Sequence, residues 1–90
     1  MSKILSPLSV GRAVFIRTVT HYFTGRVALV KASEIVLTDA AWIADTGRFH
    51  DALKGGSLNE IEPFVGPVSV NRSAVIDITE WKHALPRMQK

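Results

Sequence analysis

The chain has 90 residues, no cysteine and a formal net charge of +3. This length makes one domain with a small core, and the lack of cysteine excludes disulfides and cysteine-containing zinc sites, which leaves oligomerisation as the common stabilising device. Residues 1–11 hold only short apolar runs, too short for a signal peptide or a membrane span, so we expect a cytoplasmic protein that does not insert into a membrane.

Charge is distributed unevenly along the chain. Residues 1–31 contain five basic residues and no acidic ones, residues 32–62 contain six acidic and two basic residues, and residues 63–90 are basic again. Such a distribution can give the folded domain one basic and one acidic surface. The alternative is that these charges lie on solvated strand faces without clustering.

Residues 12–45 carry the strongest β signal, because they include no proline and many β-branched side chains. From Arg12 onward apolar residues alternate, with Val14 and Ile16 on one face and Phe15 on the other. Gly25 opens a second run, and three residues separate that run from a third. The pattern predicts three antiparallel strands, at residues 12–19, 25–31 and 34–43, joined as hairpins.

The second half of the chain is less regular. Residues 49–56 fit one helical turn or an irregular loop equally well. Strands are predicted at residues 58–71, with a bend forced by Pro63, and at residues 74–79. Residues 81–90 are predicted to be a flexible tail that packs Trp81 and then frays. The whole chain is thus expected to be one domain, residues 1–90, with its core in residues 12–80.

No pattern in the sequence indicates catalysis. A nucleophile elbow, a phosphate-binding glycine loop and a suggestively spaced pair of acids are all missing. His21, His50 and His83 lack the spacing that would place metal ligands on one face. We therefore expect neither an enzyme nor a cofactor or metal site. Asp77 is better interpreted as a solvent-facing strand residue than as a functional carboxylate with a perturbed pKa.

Short strands, tight connections and no long helix predict an all-β fold, a small antiparallel barrel. A three-strand meander has Gly25 in its second strand and Ile-Val-Leu-Thr-Asp-Ala at residues 35–40 in its third, and Val-Asn-Arg-Ser-Ala-Val-Ile-Asp-Ile follows later, at residues 70–78. These pieces resemble the two motifs of the Sm-like (LSm) RNA-binding proteins, which include bacterial RNA chaperones and proteins of phage origin. The resemblance spans about residues 12–80 and implies a strongly bent, five-stranded, SH3-like barrel that assembles into rings.

Two turns depart from the family pattern. Family members place an acidic residue and then an asparagine between the second and third strands, where they help to hold a base, whereas this chain has Lys31-Ala32-Ser33-Glu34. The second motif usually has a basic residue before a glycine, and here Asn71 precedes Arg72. The cation is thus kept but displaced by one position.

The resemblance implies that these two turns lie on one rim of the ring and bind nucleic acid there. Cations, hydroxyls and amides are the groups that contact phosphates and the base edges of single strands. The candidate residues are Lys31, Ser33, Asn71, Arg72 and Ser73. The expected partner is RNA or another single-stranded nucleic acid, and the expected assembly is a homo-oligomeric ring of about five to seven subunits. The alternative is that Arg72 and Lys31 are ordinary solvated turn residues.

A second class of function uses the same barrel without nucleic acid, as a protein-interaction or structural assembly module of the phage-encoded or mobile-element type. The scarcity of aromatic residues near the basic turns favours this class, because single-strand sites usually stack bases on aromatic rings. Tyr22 and Phe23 are the aromatic residues expected to be exposed.

Overall fold

The computed structural model describes residues 6–90 of the chain. In chain order its elements are β1 (Ala13–Thr18), β2 (Tyr22–Val30), β3 (Glu34–Asp45), α1 (Phe49–Gly55), β4 (Glu60–Pro63), β5 (Val68–Asn71), a 3₁₀ turn (Arg72–Ala74) and β6 (Val75–Glu80). No helix forms in residues 6–10.

The strands form one antiparallel sheet. Its order is β4-β3-β2-β1-β6, and β5 pairs with the first part of β3. The chain runs β1 to β3 as a meander, and β6 then returns to the free edge of β1, so the first and last strands are neighbours. Alternation along β1 turns Val14 and Ile16 to one face and Phe15 to the other, and all three are fully buried.

β3 pairs with two different strands along one edge because it bends in its middle. Asp39 has a positive φ of 49°, and the pairing with β2 shifts register between Thr24 and Arg26. Gly25 lies at this bulge, where an added Cβ would approach Leu37 Cβ at 3.0 Å and Ala40 Cβ at 3.2 Å. Gly25 on β2 thus faces the extra residue of β3, and its lack of a side chain lets β3 bend there. Before the bend β3 pairs with β5, and after it β3 pairs with β4.

Both faces of the sheet are covered. The strand cluster on one face is built almost wholly from strand side chains, namely Val14, Ile16, Phe23, Val27, Ile35, Leu37, Ala40 and Val70. The tail cluster on the other face is covered by α1 and by the segment that follows β6; its buried members are Phe15, Ala41, Ile43, Ala52, Leu58, Ile61 and Trp81. The domain is therefore layered, with a sheet between two apolar clusters.

The segment after β6 is attached at several points. Trp81, predicted to pack, is 3% exposed, and its backbone N–H donates to the carbonyl of Ala13. The His83 ring lies 2.8 Å from the carbonyl oxygen of Leu53 at the end of α1. Gly56, with φ +79°, ends that helix, and an added Cβ there would meet the His83 ring at 2.7 Å. This glycine satisfies both the left-handed backbone and the close approach of the tail.

The predicted antiparallel β class is confirmed, whereas several details are corrected. The predicted strand 58–71 is two strands, β4 and β5, because residues 64–67 turn between them so that each pairs with a different half of β3. Residues 49–55 form a helix, which decides between the two alternatives. The second strand starts at Tyr22 and not at Gly25. Across residues 6–90 no ladder joins β5 to β6, so closure into a five-stranded barrel stays a prediction.

Candidate nucleic-acid interface

The two predicted turns lie side by side. Lys31, Ala32 and Ser33 connect β2 to β3, and the 3₁₀ turn follows β5. Because β5 pairs with the start of β3, Glu34 is opposite Asn71, and the loop residues beyond that pair come together. All five sequence-predicted site residues are exposed and belong to this one region.

Arg72 joins the two turns directly. Its backbone N–H donates to the carbonyl of Ser33 at 3.1 Å, and its Nη1 donates to the carbonyl of Lys31 at 2.8 Å. The guanidinium is therefore held beside the Lys31 backbone, which brings two cationic residues into one exposed region. Since guanidinium carries five N–H donors, most of its donors are left for another acceptor.

Asn71 and Ser73 are used within the turn. The Asn71 side-chain oxygen accepts from the Ser73 backbone N–H at 3.0 Å and from the Ser73 hydroxyl at 2.8 Å. This is an N-cap of the 3₁₀ turn, and asparagine is a favoured residue for that position. The pair therefore fixes the backbone that presents Arg72, and what it can offer a ligand is reduced to the Asn71 amide N–H groups and the Ser73 lone pairs.

One acidic residue at the interface was not predicted from the sequence. Glu34 is half-buried, and its carboxylate accepts a hydrogen bond from the Ser69 hydroxyl. The signal was present, since Glu34 directly follows the turn, but its closeness to Ser69 depends on the β3–β5 pairing. The interface thus combines two cations with one carboxylate that is engaged by a neighbour.

Ion pairs neutralise several of the other basic residues. Arg12 pairs with Glu80 at 3.1 Å and Arg87 pairs with Asp39 at 3.2 Å, while Arg17 forms a two-point pair with Asp77. Acids from β6 therefore neutralise Arg12 and Arg17, whereas Lys31 and Arg26 stay exposed, with Arg26 donating to the carbonyl of Gly11.

Asp77 is an ion-pair residue on the exposed side of β6. Its hydrogen bond from Arg17 holds the pKa of the carboxyl below the ordinary value, against a smaller desolvation effect. The same Arg17 guanidinium lies 4.9 Å from the centre of the Phe49 ring. The structure thus gives Asp77 a partner on β1, in agreement with the solvent-facing interpretation.

The aromatic residues lie elsewhere. Phe23, expected to be exposed, is only 8% exposed and belongs to the strand cluster, and Tyr22 packs its ring 5.7 Å from that of Phe15. A row of rings, in the order Trp42, His21, Phe23 and Phe64, crosses the far end of β2 with neighbouring centroids 4.9 to 6.0 Å apart. The expectation of exposed Phe23 is therefore wrong, because β2 begins earlier than predicted and turns this ring inward.

Three further observations concern metal ligands, membrane-spanning helices and similarity to known proteins. Within residues 6–90 no group of three or more His, Cys, Asp or Glu side chains is placed to hold a metal ion. The same part of the chain has no helix with the length and apolarity needed to cross a membrane. No protein-family model, curated protein or solved structure matches this chain.

Proposed function

We propose that this protein binds single-stranded RNA through the Lys31 and Arg72 turns. The observation that carries the proposal is the hydrogen bond from the Arg72 guanidinium to the Lys31 carbonyl at 2.8 Å, which holds two exposed cationic residues together. Arginine can fork to a phosphate or a base edge, and lysine adds a point charge. The Ser33 hydroxyl completes a set of donors suited to a phosphate backbone.

The proposal includes a bent five-stranded barrel that assembles into a ring. The bend of β3 at Asp39 and the adjacency of β6 to β1 are features that such a barrel needs. Pairing of exposed strand edges, at residues 68–71 or 74–78, would join subunits head to tail. Each turn would then recur once per subunit, and several weak contacts along one strand would combine through effective concentration.

Arg72→Ala tests the binding site. We expect weaker binding of labelled single-stranded RNA across all sequences, and a salt slope lower by about one unit for each phosphate that is no longer bound, hence by several units in a ring. Filter-binding titrations at two or more salt concentrations measure both quantities. Because Arg72 also bonds to the Lys31 carbonyl, the variant should lose about 1 kcal/mol of stability and remain folded.

Lys54→Ala is the matched control, since it removes the same charge from the last turn of α1 and should change the slope little. Equal RNA binding by Arg72→Ala and the parent, or no binding by the parent at low salt, would remove the nucleic-acid proposal. A monomeric mass by light scattering at micromolar concentration would remove the ring.

The second candidate is a protein-interaction or assembly module. It is favoured by the mutual use of Asn71 and Ser73, and by exposed apolar side chains near the edge strand β6, where Ile76 is 60% and Val19 is 71% exposed. Val19 lies next to β6, because its N–H donates to the carbonyl of Ala74. Stable oligomers that bind no nucleic acid would select this function.

A further inference from the structure

The outer edge of β4 is already occupied by part of the segment that follows β6. Ile61 and Lys90 exchange two backbone hydrogen bonds, each of 2.9 Å, which is the pattern of an antiparallel strand pair. Closer to the bend of β3, Arg87 pairs with Asp39 at 3.2 Å. Residues 87–90 therefore run alongside β4 and the turn that follows it. We call them the edge segment.

The edge segment is held by few contacts. The side chains of Arg87 and Asp39 are 68% and 45% exposed, and Met88 is 80% exposed. A cleft of about 170 Å³, lined by Thr38, Asp39, Phe64, Val65, Gly66, Pro67 and Arg87, separates the segment from the turn beside β4. An exposed ion pair and two edge hydrogen bonds are weak, so the covalent link to the chain keeps this segment in place.

The segment and its site also have complementary charges. Arg87 and Lys90 are basic, whereas the exposed side chains of β4 are Glu60 and Glu62, and Asp39 lies at the bend. An edge strand with free backbone groups accepts any extended segment that presents donors and acceptors in register. The same segment from another chain would offer the same contacts.

We propose that the β4 edge is a docking site for the edge segment of a second copy of this chain, so that residues 87–90 exchange between subunits. Trp81 and His83 stay attached to their own domain and anchor the exchanging segment, while residues 84–86 act as the connection. Exchange of an identical element is a low-cost route to association, because the contacts within and between chains are equivalent. This interaction is independent of the Lys31 and Arg72 turns.

The absence of cysteine in the native sequence makes the exchange directly measurable. Continuing the Ile61–Lys90 pair by one residue places Gln89 beside Glu62, and both side chains are exposed. Full-length Glu62→Cys is mixed with full-length Gln89→Cys, one of them carrying a mass tag, in a glutathione buffer. We expect a tagged–untagged disulfide whose yield rises with protein concentration.

Two controls give the result its meaning. Glu62→Cys mixed with Ser57→Cys, another exposed position, reports random collision. Adding Asp39→Asn to the Glu62→Cys chain removes the charge that receives Arg87 while keeping a residue that tolerates positive φ, and should lower the specific yield by up to about fivefold. The double variant Glu62→Cys/Gln89→Cys shows that the pair can close within one chain.

A mixed-chain yield above the Ser57→Cys control that falls with Asp39→Asn supports exchange. A yield equal to that control overturns the proposal, and so does a yield that Asp39→Asn leaves unchanged. If the double variant closes within single chains while the mixture gives no product, the edge segment docks only on its own domain and the proposal is likewise wrong.

Discussion

The two apolar clusters differ in how they are built. The strand cluster is formed by side chains that alternate along β1, β2, β3 and β5, so its members are fixed once the strands pair. The tail cluster covers the opposite face with α1 and with residues beyond β6, neither of which pairs in the sheet order. One cluster follows from a repeating pattern, and the other depends on separate segments reaching the sheet.

This difference shows why a sheet with both faces buried is hard to recognise. A strand with one wet face alternates apolar and polar residues, whereas β1 buries Val14, Phe15 and Ile16 in succession. Phe15 is the centre of the tail cluster, with the rings of Tyr22, Phe49 and Trp81 at 5.6 to 5.7 Å. We therefore expect the tail cluster to be as important for stability as the strand cluster.

Trp81→Ala is the strongest test of whether the two clusters contribute equally to stability. Trp81 is 3% exposed, stacks on Phe15 and donates its indole N–H to the carbonyl of Ala84 at 3.2 Å. Losing such a ring should cost about 3 to 5 kcal/mol of unfolding free energy, in the range of Ile35→Ala in the strand cluster. Urea denaturation measures both. A loss below about 1 kcal/mol for Trp81→Ala would show that Trp81 is only loosely attached and that the two clusters do not contribute equally.

Thr24→Val should increase stability, and it tests a position inside the sheet between the two clusters. Thr24 is fully buried beside Phe15 and Ala41, and among the described residues its hydroxyl has no hydrogen-bond partner. Replacing this hydroxyl by a methyl group of similar shape should add about 1 kcal/mol, because a buried polar group without a partner is costly. Thermal and urea unfolding would show the gain.

Thr18→Val is the matched control for that change. The Thr18 hydroxyl donates to the carbonyl of His21 at 2.6 Å and accepts from its N–H at 3.2 Å. Here the same substitution should destabilise by about 1 kcal/mol. Equal effects of the two variants would show that the Thr24 hydroxyl is satisfied in solution.

Asp77→Asn should have the smallest effect on stability, because the ion pair that it removes lies on the exposed side of β6. The pKa of Asp77 is lowered in the folded state by Arg17 below the ordinary value of 3.8. The ion pair therefore stabilises the protein above about pH 4, and this contribution is lost as the pH falls through the lowered pKa. Asp77→Asn should flatten that part of the stability profile, measured by urea unfolding from pH 2 to pH 6, without altering the neutral-pH fold.

Salt provides the control, since an exposed pair is screened. Parent and Asp77→Asn should converge in stability at about 1 M salt, where the Debye length is about 3 Å. A difference between them that persists in high salt would mean that Asp77 acts through packing and not through charge.

The sequence predicted what depends on local pattern. Alternation at Val14 and Ile16 indicated the meander, and the resemblance to Sm-like proteins led to the two turns that the structure brings together through Arg72. The position of the bend at Asp39 was missed, because aspartate tolerates a positive φ but adopts it at few of its positions, so the sequence does not single out Asp39. The cover of the second face was predicted only in part, because Trp81 was expected to pack but a helical turn at residues 49–56 was favoured no more than a loop.

The same reasoning explains the features of the candidate site that were not predicted. Glu34 and the Arg12, Arg17 and Arg87 ion pairs join residues far apart in sequence, so their mutual neutralisation cannot be counted before the pairing of strands is known. Asn71 carried a turn signal, but only the 3₁₀ geometry shows its side chain turned back to Ser73.

The pairing of β1 with β6 has a consequence for how the chain folds. Val14 is opposite Glu80 and Ile16 is opposite Ile78, so one edge of β1 can pair only after the last strand has been synthesised. Contacts of such high sequence separation slow folding, because loop closure must precede their stabilising effect. During synthesis, the edge of β1 stays open until residues 75–80 leave the ribosome. A nascent chain shorter than this can form the β1–β3 meander, yet its exposed edge makes it prone to aggregation until β6 arrives.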